Sequence, residues 1–391
     1  MLSDLGTPIA PARMNRRTFL PALGALVSAP TLRLRQTTQP DPWTELLGAS
    51  GVPSFALVTV NARGVAFQHR GVRRRGENTP VDQDTVFQAA SLTKPVFAVA
   101  FLQLVREGRI ALDRPVAQYL DLPDTSDPRS ATITARHLLS HSSGWRNWRN
   151  QPSDTLTCAF DPGTRWLYSG EGYYFLQRVM ERVTGRSMAA TLRELVLAPL
   201  GMVRSSVVGL ESLEPQQATG HNLDGEPRVP FGRAALVELR KRLAARNESL
   251  EAAREEDVHA AYRAAEPNTP LLPNYLAPNA AASLLTTTAD MGRFLTYLLG
   301  PGRDVAREMT TPQVRRNAAI EWGLGLGVER IEGRAVGWQW GDNPGFKNFM
   351  AVDPDGGSGL AVFTNGDRGA RVYERVVRGI TGTDHPAFLY V

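Results

Sequence analysis

The sequence predicts an α/β protein of the α+β type, in which an antiparallel sheet is flanked by helices and a mostly helical domain is inserted. Strand-like patterns occur near both ends of the chain, at residues 54–69 and 324–364. Helical patterns and Pro/Gly-rich loops fill residues 112–279 between them. Because strands bury their apolar faces only by joining a common core, the two distant groups are expected to form one sheet.

The first group of strands leads to a buried helix. Residues 54–60 and 65–69 are short apolar segments on either side of Asn61 to Gly64, a turn sequence that predicts a hairpin. Residues 86–90 form a further extended segment that ends at Ser91. Residues 95–107 are apolar on every side and stop at Gly108, which is typical of a fully buried helix.

The middle and the end of the chain continue this alternation. Residues 171–183 have the period of an amphipathic helix, and the charged residues 234–265 predict a solvated helix or a helical hairpin. Another helix is expected from residue 289 to 299. The last elements predicted are four strands and an amphipathic helix, at residues 324–331, 335–340, 346–352, 359–364 and 370–380.

The N-terminus contains an export pattern. Arg16 and Arg17 lie in a twin-arginine sequence at residues 15–20, and an apolar stretch follows over residues 19–29. That stretch is too short to span a bilayer as a stable helix. We therefore expect a signal at residues 1–35, a linker at 36–42, and an exported protein, periplasmic or extracellular, with no stable membrane insertion after signal removal. The alternative is an amphipathic N-terminal arm.

The charge and cysteine content limit the classes of binding partner and of covalent cross-link that the sequence predicts. The 44 basic and 39 acidic residues are interspersed, and no long basic run indicates a nucleic-acid surface. Cys158 is the only cysteine, which excludes an intrachain disulfide and favours a small core residue. We expect a small-molecule substrate and no nucleic-acid partner.

Lysine is rare in this chain. Only Lys94, Lys241 and Lys347 are lysines, so 44 − 3 = 41 of the basic residues are arginines. Arginine stays charged, whereas a buried lysine can lose its proton and act as a base. Lys94 follows Ser91 by three residues at the start of the buried helix, which places amine and hydroxyl on one face. The alternative is a helix-capping serine with a lysine there by chance.

Four ordered motifs decide between these alternatives. They are Ser91 to Lys94, residues 133–144, Tyr168-Ser169-Gly170 and residues 281–287. Together they resemble the serine β-lactamase-like, penicillin-binding hydrolases, a family that includes class C β-lactamases, D-alanyl-D-alanine carboxypeptidases and family VIII esterases. The resemblance covers about residues 41–380. It implies a discontinuous sheet domain at 43–110 and 280–391, a helical domain at 111–279, and a cleft between them.

The resemblance also implies the site. The expected catalytic residues are Ser91, Lys94 and Tyr168, although which of Lys94 and Tyr168 is the base stays open. The oxyanion hole is expected from the backbone amides of Ser91 and Asp342. No metal or organic cofactor is expected. The expected substrate-binding residues are Gly170, Glu171, Gln339, Trp340 and Gly341.

Two positions depart from the family pattern. Gln339 stands where the family has Lys or His, so a cation that helps to hold a substrate carboxylate is missing. Gly170 stands where the strict pattern has Asn, a residue that touches the lysine and the substrate amide. Glu171 is a candidate for partial compensation, although an acidic residue also stabilises the start of a helix. Lys347 is a second candidate for restoring positive charge.

Two histidines require a separate interpretation. His137 and His141 have the i,i+4 spacing that can bind zinc on a helix, but no third ligand is placed nearby in the sequence. The family resemblance favours a structural role near the site.

The sequence thus predicts a serine hydrolase that forms an acyl-serine intermediate, acting on small, largely uncharged esters or amides. The alternative is a β-lactamase or D-amino-acid carboxypeptidase that has moved its carboxylate contact. A second alternative is a non-hydrolytic protein that binds a cell-wall ligand. The proton-transfer groups argue against it, since a pure binder has no need of them.

Overall fold

An eight-stranded antiparallel sheet organises the protein. The computed structural model describes residues 41–122, 126–149, 154–230, 232–267 and 275–389. The expected signal at 1–35 and most of the expected linker lie outside these described residues.

Ten strands are present in the described residues. Eight of them form the main sheet in the order β2-β1-β10-β9-β8-β7-β6-β5, and β3 pairs with β4 in a separate two-stranded ribbon. The strands are β1 Ser54–Asn61, β2 Gly64–Gly71, β3 Phe87–Ala90, β4 Leu284–Thr286, β5 Val314–Arg315, β6 Ile320–Trp322, β7 Gly327–Ile331, β8 Arg334–Asn343, β9 Phe346–Asp353 and β10 Ser358–Thr364.

The two ends of the chain meet in the middle of this sheet. The β1–β2 hairpin adds to the C-terminal strands through β1 and β10, with Phe55 opposite Thr364 and Val60 opposite Gly359. The prediction that distant segments complete one sheet is therefore confirmed.

Ten α-helices flank the strands within the described residues. They are α1 Pro42–Ser50, α2 Thr93–Arg106, α3 Ala135–Leu139, α4 Gly170–Thr184, α5 Met188–Leu192, α6 Arg233–Ala245, α7 Glu255–Ala265, α8 Thr288–Leu299, α9 Arg303–Met309 and α10 Gly369–Thr381.

Each face of the sheet has its own core because side chains alternate along a strand. In β1, Ala56 and Val58 point toward the core that contains α2 and α8. Phe55 and Leu57 point to the opposite face, where they pack with residues of α1 and α10. Helix α2 lies inside the first core, and eleven of its fourteen residues are buried, as its apolar sequence predicted.

Of the two alternatives predicted for the charged stretch 234–265, the structure has the helical hairpin, formed by α6 and α7. Two local differences from the sequence prediction have simple causes. Residues 324–326 are not part of β7, because Gly325 makes a left-handed turn that packs against Ala98 of α2. Strands β5 and β6 and helix α9 were not predicted, since elements of two, three and seven residues show too little periodicity.

Two further predictions concern single residues and membrane spans. Cys158 is buried as a free thiol, as expected for a core residue. No helix among the described residues has the length and apolar character needed to cross a bilayer. The division into a sheet domain and a helical domain stays a prediction.

Strand β8 is pressed closely against β3, the strand that leads to Ser91. A β-carbon on Gly341 would lie 2.4 Å from the carbonyl oxygen of Ala89 and 3.2 Å from the β-carbon of Ala90. Side chains of β8 and β9 also bridge to β3, since Asn343 donates to Gln88 Oε1 at 3.2 Å and Asn348 donates to the Gln88 carbonyl at 2.9 Å. This contact fixes Gln339, Trp340 and Gly341 of β8 beside the turn that carries Ser91.

We predict that Gly341→Ala destabilises the protein because the added methyl group forces β8 away from Ala89. Overpacking of this kind lowers the free energy of unfolding by about 1–3 kcal/mol, which denaturant unfolding measures. Gly48→Ala is the matched control, since a β-carbon there has no heavy atom within 4 Å and alanine suits a helix. Equal stability of the two variants would contradict the close approach of β8 and β3.

Candidate active site

Ser91 lies in the turn that joins β3 to α2. The residue before it, Ala90, has φ 54°, in the left-handed region that non-glycine residues rarely adopt. The hydroxyl of Thr93 donates to the Ala90 carbonyl at 2.6 Å and accepts the Leu284 N–H at 2.9 Å. The unusual turn is therefore held from both sides, which fits the clustering of backbone strain at functional sites.

Lys94 brings its amine to this serine. Its Nζ lies 3.1 Å from Ser91 Oγ and donates to the Ala281 carbonyl at 2.8 Å. The rings of Tyr168 and Tyr173 lie 4.8 and 5.3 Å from Nζ. Burial, with 1% of the residue exposed, holds the pKa of Lys94 well below its usual range. Within the described residues, no carboxylate forms an ion pair with it.

Tyr168 completes the group. Its hydroxyl donates to Ser91 Oγ at 2.9 Å. Burial raises the pKa of the Tyr168 phenol, so the hydroxyl keeps its proton at neutral pH. The structure therefore brings together the three residues that the sequence motifs predicted as catalytic.

His141 fixes Tyr168 in place. The His141 carbonyl accepts the N–H of Leu167 at 2.8 Å, and its Nδ1 accepts the N–H of Ser169 at 3.1 Å. The imidazole also packs on the phenol ring, with centroids 4.3 Å apart. Burial, reinforced by the nearby Lys94, holds the pKa of His141 well below its usual range, so the ring is neutral. His141 thus has the structural role that the resemblance implied.

His137 stabilises the start of helix α3. Its Nδ1 accepts the backbone N–H of Thr134 at 3.3 Å, which closes a capping box at the start of α3. In the part of the chain that the structure describes, no group of three or more His, Cys, Asp or Glu side chains is arranged to hold a metal ion.

Tryptophan side chains surround Tyr168 on its other sides. The ring centroid of Trp340 lies 4.9 Å from that of Tyr168, and those of Trp322 and Trp166 lie 6.1 and 6.4 Å away. Trp340 thus packs on the phenol ring, and its expected contact with substrate stays a prediction. Trp322 was missed because nothing near it in the sequence marks a motif.

Gln339 connects strand β8 to Tyr168. Its Nε2 donates to the Tyr168 hydroxyl at 3.4 Å and to the Trp340 carbonyl at 3.0 Å. The side chain is buried and uncharged, so it supplies hydrogen-bonding capacity at the position where the family has a cation.

Gly341 and Asp342 follow on the same strand. The absence of a side chain at Gly341 is required by the contact with Ala89, so packing explains this glycine without a substrate. The exposed carboxylate of Asp342 pairs with Lys347, which also contacts Asp367 at 3.3 Å. The charge of Lys347 is thus compensated by two carboxylates. The oxyanion hole of the Ser91 and Asp342 amides stays a prediction.

Gly170 and Glu171 begin α4 next to Tyr168. Glu171 was expected to contact substrate, but its carboxylate is fully buried and pairs with Arg149, with Nη2 at 2.7 Å from Oε1. The structure therefore gives Glu171 a structural role in place of the expected substrate contact. Gly170 packs against the indole of Trp148, a neighbour that sequence reasoning missed.

Comparison with known proteins finds relatives that include an esterase and a penicillin-binding protein. The chain is 31% identical over 205 residues to "Esterase EstB" of Burkholderia gladioli, covering 45% of this chain and 51% of that protein. It is 33% identical over 215 residues to "Penicillin-binding protein 4" of Amycolatopsis lactamdurans, covering 48% and 56%. The chain thus spans about half the length of the curated relatives it matches.

Solved structures and the family comparison agree on the fold. The octameric penicillin-binding protein homologue from Pyrococcus abyssi superposes with a TM-score of 0.67 at 20% identity, covering 87% of this chain and 76% of that one. The sequence profile of the β-lactamase family matches residues 43–380. With its serine, lysine and tyrosine grouped as the motifs predicted, the chain belongs to the β-lactamase family.

Proposed function

We propose that this protein is a serine hydrolase that acts through an acyl-serine intermediate on small carboxylic esters or amides. The observation that carries the proposal is the position of Ser91 Oγ, which lies 3.1 Å from Lys94 Nζ and 2.9 Å from the Tyr168 hydroxyl. A serine hydroxyl is a weak nucleophile at neutral pH and needs an adjacent base.

Lys94 is the base in this proposal. Its lowered pKa favours the neutral amine, whose lone pair accepts the Ser91 proton as Oγ attacks the substrate carbonyl. The raised pKa of Tyr168 favours the phenol, which keeps a hydrogen bond on the serine oxygen. The proton then passes to the leaving oxygen or nitrogen as the acyl-enzyme forms. A water molecule releases the acid in the reverse sequence of proton transfers.

The uncharged side chain of Gln339, at the position where the family has Lys or His, supports uncharged substrates. Gln339 is buried against Tyr168 and offers no positive charge to a substrate carboxylate. The likeness to "Esterase EstB" supports an ester as the substrate.

A β-lactamase or D-amino-acid carboxypeptidase is the second candidate. It is favoured by the likeness to "Penicillin-binding protein 4" and by a cavity of about 590 Å³ beside Gln88 and Pro344. Arg74, Arg228 and Arg233 line this cavity together with Glu214, and two of these arginines pair with other carboxylates, Arg74 with Glu77 and Arg228 with Asp367. In this second candidate, Arg233 supplies the positive charge for a substrate carboxylate away from Gln339. The intact serine, lysine and tyrosine argue against a protein that only binds its ligand.

Ser91→Ala is expected to lower the turnover of p-nitrophenyl butyrate by at least about 10³-fold, because the acyl acceptor is lost. The same assay with nitrocefin separates the two candidates, since an esterase favours the neutral ester. Circular dichroism checks that the variant is folded. An unchanged rate in the folded variant would contradict the acyl-serine mechanism.

The value of kcat/KM for the neutral ester is expected to depend on the protonation of Lys94. Because the neutral amine is the active form, the rate should be level above the lowered pKa and fall about tenfold per pH unit below it. A pH–rate profile measures this fall in kcat/KM on the acid side. Its apparent pKa should lie well below 10.5, the ordinary value for lysine.

Lys94→Arg tests whether protonation of Lys94 causes the fall in kcat/KM on the acid side, since arginine keeps the charge but does not release its proton. The variant should lose about 10²- to 10⁴-fold in rate. Lys241→Arg, on the exposed surface of α6, is the matched control and should leave the profile unchanged. A wild-type profile in Lys94→Arg would show that another group is the base.

We also propose that the protein is exported by the twin-arginine route, on the basis of residues 15–20. Replacing Arg16 and Arg17 by lysine should retain the enzyme in the cytoplasm of a bacterium with this pathway. Activity in separated periplasmic and cytoplasmic fractions measures the effect. An identical distribution of wild type and variant would contradict this route.

A further inference from the structure

Trp148 occupies the space where a side chain at position 170 would begin. A β-carbon on Gly170 would lie 2.2 Å from Trp148 Cζ2 and 2.5 Å from Cε2, far inside van der Waals contact. Position 170 is where the family pattern has Asn. The indole therefore replaces this side chain in space, and glycine is required because the ring is there.

The residue before Trp148 attaches this loop to α4. The Asn147 side chain accepts the Gly170 N–H at 2.7 Å, and its backbone carbonyl accepts the Glu171 N–H at 2.7 Å. Both bonds use N–H groups of the first helical turn, which have no partner within the helix.

The residue after Trp148 is fixed to the same turn. The Arg149 N–H donates to Glu171 Oε2 at 3.1 Å, and its guanidinium Nε donates to Oε1 at 2.9 Å. Both side chains are buried, with 4% and 0% exposed. Anchors on both sides thus hold the indole on Gly170, two residues from Tyr168, whose hydroxyl contacts the nucleophile.

We propose that Trp148 is a specificity-determining residue, and that it selects esters of simple alkyl or aryl acids over esters whose acyl chain carries an amide. This inference rests on the proposed hydrolase function. Trp148 is only half-buried, so part of its indole stays accessible beside Gly170. In this proposal, that surface contacts the acyl chain of the substrate. An alkyl or aryl chain gains by covering the indole, whereas an amide there loses its water without receiving the hydrogen bond that Asn would supply.

Two matched substrates test this proposal. p-Nitrophenyl pentanoate and p-nitrophenyl N-acetylglycinate have acyl chains of equal length and differ by an amide. Wild type should favour pentanoate by at least about 10-fold in kcat/KM, after subtraction of uncatalysed hydrolysis. Trp148→Ala should reduce this ratio about tenfold or more, and Trp148→Ala/Gly170→Asn should reduce it further.

Titration of Ser91 with a fluorophosphonate normalises each rate to folded, competent enzyme, and Trp148→Leu replaces the alanine variant if that variant does not fold. Equal fractional changes for both substrates would overturn the inference, since a merely structural role affects both alike. Failure of wild type to hydrolyse either ester would instead contradict the proposed hydrolase function.

The contact itself has an independent test in the melting temperature. Gly170→Ala should lower it in wild type, where the methyl group meets the indole, and should have a much smaller effect in Trp148→Leu or Trp148→Ala. Equal losses in both backgrounds would show that Trp148 does not occupy this space.

Discussion

The burial of one amine is the constraint on which the site depends. Lys94 lies in a core of apolar side chains and receives only a serine oxygen and a backbone carbonyl as close polar partners. An ammonium group without a carboxylate is costly in such surroundings, so the neutral amine is favoured. The rest of the site places the Ser91 hydroxyl and the Tyr168 phenol around this amine. The carbonyl of Ala281 comes from the segment before β4, nearly two hundred residues further along the chain.

The three polar groups also satisfy one another. In the proposed mechanism, a neutral Lys94 donates one N–H to the Ala281 carbonyl and directs its lone pair to the Ser91 hydroxyl, while Tyr168 donates to the same serine oxygen. This arrangement needs a neutral amine and a protonated phenol together, and burial favours both states. His141 and the tryptophans add no charge to the cluster. They hold the phenol at one distance from the serine, which preorganises the site before substrate arrives.

The fold could be predicted from the patterns of strands and helices, and the expected catalytic residues could be predicted from short motifs. Ser91 and Lys94 are three residues apart where β3 leads into α2, and Tyr168 lies in a recognisable motif. The neighbours that shape the cleft were not predictable in this way. Trp148 meets Gly170, and Arg149 meets Glu171, only after a loop has folded onto α4. An acidic residue at a helix start suits a helix dipole or a substrate equally well, and the buried arginine that decides the matter is visible only in three dimensions.

The pairing of β1 with β10 has a consequence for synthesis. Phe55 is opposite Thr364, so the sheet closes only after β10 has left the ribosome. Strand β8, which presses on the turn of the nucleophile, is also made late. The nascent chain therefore contains Ser91 long before it contains the strands that position this residue. The proposed hydrolytic activity therefore requires β8, β9 and β10, and we expect the nascent polypeptide to be inactive before they pair.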